Sequence, residues 1–183
     1  MYQDLSKFRL PNDFRGKPGW YVQLWWIVQD TLFRWSPQFM YGWRRFLLRL
    51  FGAEIGKEVI IRPTARITYP WKIKIGDYSW IGDDVVLYSL GEIEIGNNVV
   101  ISQRSYLCTG SHDYTKIDFP IFAKKIIIED EVWLATDVFV APGVKIEKGT
   151  VVGARSSVFS SLPKGKVCIG NPAKPVKDRI VHE

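Results

Sequence analysis

Few side chains in this 183-residue chain could carry proton-transfer chemistry. There are two histidines, His112 and His182, and two cysteines, Cys108 and Cys168. The cysteines lie outside any Cys-x-x-Cys spacing, so neither a disulfide framework nor a zinc site is expected. A catalytic zinc would need several histidines around one metal, and no metal is expected. His182, in the penultimate position, reads as a solvated tail residue. His112 stands in Ser111-His112-Asp113. Imidazole gives and takes a proton near neutral pH, which makes His112 a candidate general base. Asp113 is a candidate to orient the ring, as carboxylates do elsewhere, though a backbone carbonyl would serve equally. The plainer alternative is a turn histidine held by its neighbours.

A search for internal repeats identifies what must position His112. From Ile55 an aliphatic residue recurs every sixth position in sets of three: Ile55, Ile61, Ile67; Ile75, Ile81, Leu87; Ile95, Ile101, Leu107; Ile128, Leu134, Val140; and Ile146, Val152, Val158. Four residues after each one, twelve of the fifteen positions are Val, Ala, Ser or Thr. Gly-Asp or Gly-Asn often follows directly, as in Ile75-Gly76-Asp77 and Ile95-Gly96-Asn97. Six matches neither the 3.6 period of a helix nor simple strand alternation. It matches a short strand plus a turn, repeated on three faces of a triangular coil, with coils stacked at about 4.8 Å. Five coils are expected over residues 53–163, with two extra residues at one corner of each early coil. The stretch 113–125 interrupts the pattern just after His112, and so long an interruption of a regular solenoid points to function or a partner contact.

Residues 1–52 differ in kind. Trp20 to Phe51 is helical in composition, holds five of the eight tryptophans and is punctuated by Ser36-Pro37, so two short helices are expected. Packing on the coils, or on a neighbouring subunit, is the favoured reading, because the apolar residues cover more than one side of either helix. The other reading is an interfacial anchor, since Trp with Arg is the composition such helices use, and it would make 20–51 a peripheral membrane contact. No apolar run approaches the roughly 20 residues of a spanning helix. The first fifteen residues do not read as a secretory signal, so a cytoplasmic enzyme is expected, peripheral at the inner membrane face if the anchor reading holds. The net charge of +6 favours anionic partners. Residues 164–183 form a basic tail.

Several stretches resemble the left-handed β-helix acyltransferases of the hexapeptide-repeat family. They are Val132-Trp133-Leu134-Ala135, Ala141-Pro142-Gly143-Val144, Val152-Gly153-Ala154-Arg155-Ser156 and Gly170-Asn171-Pro172-Ala173-Lys174. Within that family, Phe14-Arg15-Gly16-Lys17-Pro18-Gly19-Trp20 and Tyr41-Gly42-Trp43-Arg44-Arg45-Phe46 are similar to colanic-acid-type acetyltransferases, as is Leu107 to Asp113. The resemblance implies an all-β, left-handed parallel β-helix with an N-terminal helical segment. It implies an acetyl-CoA-dependent O-acetyltransferase acting on a sugar hydroxyl in surface-polysaccharide synthesis, working as a homotrimer with donor sites between subunits and no nucleic-acid partner. The alternatives are an N-acyltransferase acting on an amino sugar nucleotide, which needs the same base, and a non-catalytic β-helix that only binds a partner. His112 takes the place of the family's base and Thr136 N–H that of its oxyanion donor. Trp133, Ala135, Pro142, Ala154, Arg155, Phe159, Ser160, Lys174 and Lys177 fall at the donor site, the two lysines near the nucleotide phosphates. Phe159-Ser160 departs from the Thr-Lys or Thr-Arg often found there, and Arg155 or Lys164 would have to compensate. Gly82 and Leu90 replace an asparagine and an aspartate that hold the sugar in galactoside enzymes, which implies a different acceptor.

Overall fold

The computed structural model describes residues 1–182. Residues 54–178 wind into a triangular parallel β-helix with three flat faces. The first face stacks Glu54–Ile55, Ile73–Ile75, Ile93–Ile95, Ile126–Ile128 and Lys145–Ile146. The second stacks Ile60–Ile61, Trp80–Ile81, Val100–Ile101, Trp133–Leu134 and Val151–Val152, then Lys166–Gly170 and an antiparallel outer strand, Ala173–Asp178. The third stacks Arg66–Ile67, Val86–Tyr88, Tyr106–Cys108, Phe139–Val140 and Ser157–Val158.

All fifteen periodic aliphatics are buried in the prism interior, none above 8% exposed. Of the small residues four places on, Ser111 alone is exposed. The buried hydroxyls among them bond between coils: Ser79 Oγ donates to Gly96 O at 2.7 Å and Ser105 Oγ to Ala135 O at 2.9 Å. The Gly-Asp/Asn pairs build a second ladder. Asp77, Asn97 and Asp130 each accept, at 2.7 Å, from the backbone N–H of the coil before, at Lys57, Asp77 and Asn97. Glycine is required beside them, because a Cβ at Gly76 would lie 2.6 Å from Asn97 Oδ1. One expectation needs extension. The winding continues past five coils, since Leu162 bridges to Ile146 and Cys168 pairs with Val152.

The N-terminal segment closes the first coil. Helix α1 (Gly19–Val28) continues into one wide π-turn, Gln29–Phe33, and α2 (Tyr41–Leu50) follows. Trp25, Phe33, Leu47, Leu48 and Phe51 lie over the open interior of coil one. Carbonyls of that coil, which no earlier strand can meet, accept side-chain hydrogen bonds. Arg49 Nη2 reaches Ile55 O (2.7 Å) and Gly56 O (2.9 Å), and Arg45 reaches Val59 O (3.0 Å). Arg44 Nε reaches Ile61 O (2.6 Å), and Trp25 Nε1 reaches Ile67 O (2.8 Å). The favoured packing reading thus holds for one side of the segment. The other side remains open: Trp20, Trp35 and Phe39 are 68%, 81% and 79% exposed.

The 113–125 interruption is the outer part of a β-hairpin whose arms are Gly110–His112 and Ile121–Ala123, with His112 opposite Ile121. It leaves the prism at the edge between the third and first faces. Residues before α1 run back to it: Lys72 Nζ donates to Phe14 O at 2.7 Å, and Asp4 N–H donates to Ile117 O at 2.7 Å.

Candidate active site

His112 is half-buried and held on two sides. Its ring stacks on Phe119 with centroids 4.3 Å apart and planes 10° apart, and the Phe8 ring stands 6.0 Å away. Nδ1 lies 2.9 Å from Phe119 O. A carbonyl only accepts, so Nδ1 carries the proton and the neutral ring keeps its lone pair on Nε2. That is the arrangement a base needs, with one nitrogen fixed and the other without a hydrogen-bond partner among the described residues. The cleft beside it, about 400 Å³, is lined by Ser111, Asp113, Tyr114, Thr115, Phe122 and Lys124.

Asp113 does not take the orienting role. Its Oδ1 accepts from Thr115 Oγ1 (2.5 Å) and Thr115 N–H (3.1 Å), and Oδ2 lies 3.8 Å from Lys116 Nζ. Those bonds hold its carboxyl below the usual carboxylate range. Phe119 O is the orienting acceptor, reached only because the hairpin returns residue 119 to residue 112. Asp113→Asn should therefore cost acetyl transfer less than about tenfold, far below loss of a general base. A drop in turnover of a hundredfold or more would restore Asp113 to the mechanism.

Cys108 makes no nucleophile. Its Sγ lies 3.1 Å from Gly110 O, and burial pushes its thiol pKa up, so the reactive thiolate is disfavoured. Around it runs an aromatic column of which the sequence singles out only Phe159. Tyr88, Tyr106, Phe139 and Phe159 follow down the third face at 5.9, 6.2 and 5.8 Å. Burial, with Cys108 and Tyr88 nearby, pushes the Tyr106 hydroxyl up to about 12. The available signal was the outward position just before Leu107 and Val140, which holds an aromatic in both coils.

The proposed donor residues occupy other places. Trp133 is 45% exposed on the second face and donates from Nε1 to Ser102 Oγ at 3.0 Å. Ala135, Thr136, Ala154 and Arg155 lie at the edge between the second and third faces, where Arg155 N–H donates to Thr136 O at 2.9 Å. Asp137, also there, is clamped by Arg104 through two 2.8 Å bonds, with Arg155 3.8 Å away. Thr136 N–H has no acceptor among the described residues. Lys174 and Lys177 are exposed on the outer strand beside the second face. Pro142 is on the edge that bears His112, where Lys124 packs its stem 3.2 Å from a Cβ built on Gly143. Phe159 and Ser160 lie where the last complete coil turns from the third face toward the first.

Within one chain, then, His112 and Thr136 stand on different edges of the prism, with the aromatic face between them. A further cleft, about 810 Å³ along the first face at Gly56, Gly76 and Gly96, is lined by no histidine, and its lysines pair with carboxylates, Lys74 with Glu54 and Lys148 with Glu131.

No family model matches the chain. It is 64% identical over 181 residues, 99% of this chain and 100% of the relative, to the "Putative colanic acid biosynthesis acetyltransferase WcaF" of Escherichia coli (strain K12). It is 32% identical over 139 residues to the galactoside O-acetyltransferase of Lactococcus lactis, covering 73% of this chain and 66% of that one. Among solved structures it resembles the hexapeptide-repeat containing acetyltransferase VCA0836 of Vibrio cholerae, with a TM-score of 0.81 and 24% identity, covering 97% and 98% of the two chains. That protein is also solved with acetyl coenzyme A (TM-score 0.77, 24% identity, covering 92% and 88%). Coils, hairpin and near-full-length identity agree: the chain belongs to the hexapeptide-repeat acetyltransferases.

Proposed function

We propose that the protein transfers the acetyl group of acetyl-CoA to a hydroxyl of a saccharide acceptor in surface-polysaccharide synthesis. The observation that carries this reading is His112 with Nδ1 bound to Phe119 O and Nε2 without a hydrogen-bond partner among the described residues. The 64% identity to WcaF supports the setting. In the reaction, His112 Nε2 takes the proton of the acceptor hydroxyl as its oxygen attacks the thioester carbon. Thr136 N–H donates to the oxyanion that forms. As the tetrahedral intermediate collapses, the C–S bond breaks and the imidazolium returns its proton to the departing thiolate. No protein nucleophile is needed.

The separation of His112 from Thr136 supports a site shared between copies, in a homotrimer. A pantetheine arm against Ala135 and Ala154 fits small side chains at that edge, and Lys174 and Lys177 are placed to meet phosphate charge. The outward positions of the second face form an apolar column, Ile60, Trp80, Val100, Trp133 and Val151, suited to contact with another subunit. Release of free thiol from acetyl-CoA, measured with saccharide acceptors, tests the reading, and the product should be an ester that hydroxylamine cleaves. An amide product would instead make this an N-acyltransferase of amino sugars, and no acceptor-dependent thiol release would leave a β-helix that only binds.

A further inference from the structure

Helix α1 is apolar on two opposite sides, with Gln23 its one strongly polar residue. One stripe, Val22 and Trp25, is buried, continued past the helix end by the buried Gln29. The opposite stripe, Trp20, Leu24 and Ile27, falls at i, i+4, i+7 and is 68%, 44% and 61% exposed. Trp35 and Phe39, between the helices, and Phe46, on α2, are likewise 81%, 79% and 52% exposed. A helix with two apolar sides needs two apolar neighbours, and the β-helix supplies one. Single exposed apolar residues are ordinary, but this many exposed large apolar side chains within one short segment mark an interaction surface.

Charge identifies the second neighbour. Residues 1–52 hold eight Lys and Arg against three Asp, a net +5 that leaves the rest of the chain, β-helix included, close to neutral. Arg44, Arg45 and Arg49 turn inward to the first coil, whereas Lys17 and Arg34 are exposed. Basic residues adjoin the exposed aromatics: Lys17 precedes Pro18-Gly19-Trp20, and Arg34 precedes Trp35. Neither makes an ion pair among the described residues. A second copy would set this positive surface against itself, and the near-neutral β-helix offers no compensating field. Anionic headgroups over hydrocarbon match both properties, with tryptophan at the boundary and cations among the phosphates. No described helix is long and apolar enough to cross a membrane.

We infer that the outer face of the N-terminal helices is a docking surface for an anionic lipid bilayer, entered at interfacial depth by Trp20, Trp35 and Phe39. The helices therefore close the β-helix with one side and seat on lipid with the other.

Flotation of the full-length protein with vesicles tests this without reference to turnover, so a failed acetyl-transfer assay would not bear on it. The chain should float with vesicles containing phosphatidylglycerol and not with pure phosphatidylcholine. Raising salt from about 0.1 to 0.5 M should weaken the partition by roughly tenfold or more. Tryptophan emission should shift to shorter wavelength on binding. Trp20→Ser/Trp35→Ser/Phe39→Ser, and separately Lys17→Glu/Arg34→Glu, should abolish flotation while thermal unfolding and sedimentation stay as in the parent. The inference is overturned if the parent ignores anionic vesicles, or if the triple variant floats like the parent. It is also overturned if the triple variant dissociates into smaller species, which would assign the patch to a subunit contact.

Discussion

His112→Ala should lower turnover by roughly 10² to 10⁴-fold while leaving affinity for coenzyme A almost unchanged. A base acts on the moving proton, so its loss falls on kcat more than on donor binding. The imidazole is set for that role by its surroundings, with Nδ1 bonded to Phe119 O and the ring stacked on Phe119. Equilibrium dialysis with coenzyme A would separate the two effects. Turnover within about fivefold of the parent would remove His112 from the reaction, since a positioned base is worth far more.

The largest stability loss is expected at a residue far from the chemistry. Arg44 is fully buried, and its guanidinium gives four bonds. Nε donates to Ile61 O (2.6 Å), Nη1 to Ser36 Oγ (2.7 Å) and Pro37 O (3.0 Å), and Nη2 to Gln38 O (2.5 Å). The Tyr41 ring lies 5.1 Å from its central carbon. Burial pulls its pKa down. The cation is retained because a fork of dipoles surrounds it. Arg44→Ala takes the donor from four acceptors and leaves a cavity. Ile61 O is buried, while the acceptors on Ser36, Pro37 and Gln38 are only part-buried, so the loss should be about 3 kcal/mol. For a chain of this size that is roughly 10 °C in unfolding midpoint. Arg44→Lys should recover little, since one ammonium cannot span that fork. Arg45→Ala, losing one 3.0 Å bond at a half-buried site, should cost about 1 kcal/mol or less. Equal shifts for Arg44→Ala and Arg45→Ala would refute this account.

What could be read in advance follows from repetition. Each coil makes the same demand at the same place, so an aliphatic every six residues announces the prism, and Gly-Asp or Gly-Asn announces the ladder beside it. The candidate base stood out as well, because few imidazoles compete with His112. Its orienting partner did not, for Phe119 acts through a backbone carbonyl seven residues away, which carries no side-chain signature. Asp113 drew attention by adjacency, yet its carboxylate turned to Thr115. The arginines of α2 could equally have faced lipid or protein in a linear reading. Their direction depends on which carbonyls of the first coil lie open, and only folding decides that.

Those open carbonyls have one more consequence. A stack of coils is a one-dimensional lattice, and the terminal coil of a parallel β-helix is a template on which another chain's strand can add. Here the guanidinium and indole donors of the N-terminal helices already occupy that template, at Ile55, Val59, Ile61 and Ile67. At the opposite end the outermost strand carries Lys174, Pro175 and Lys177, residues that deter pairing. The same side chains that finish the fold also make it finite, holding as a discrete particle a repeat whose geometry would otherwise permit fibre growth.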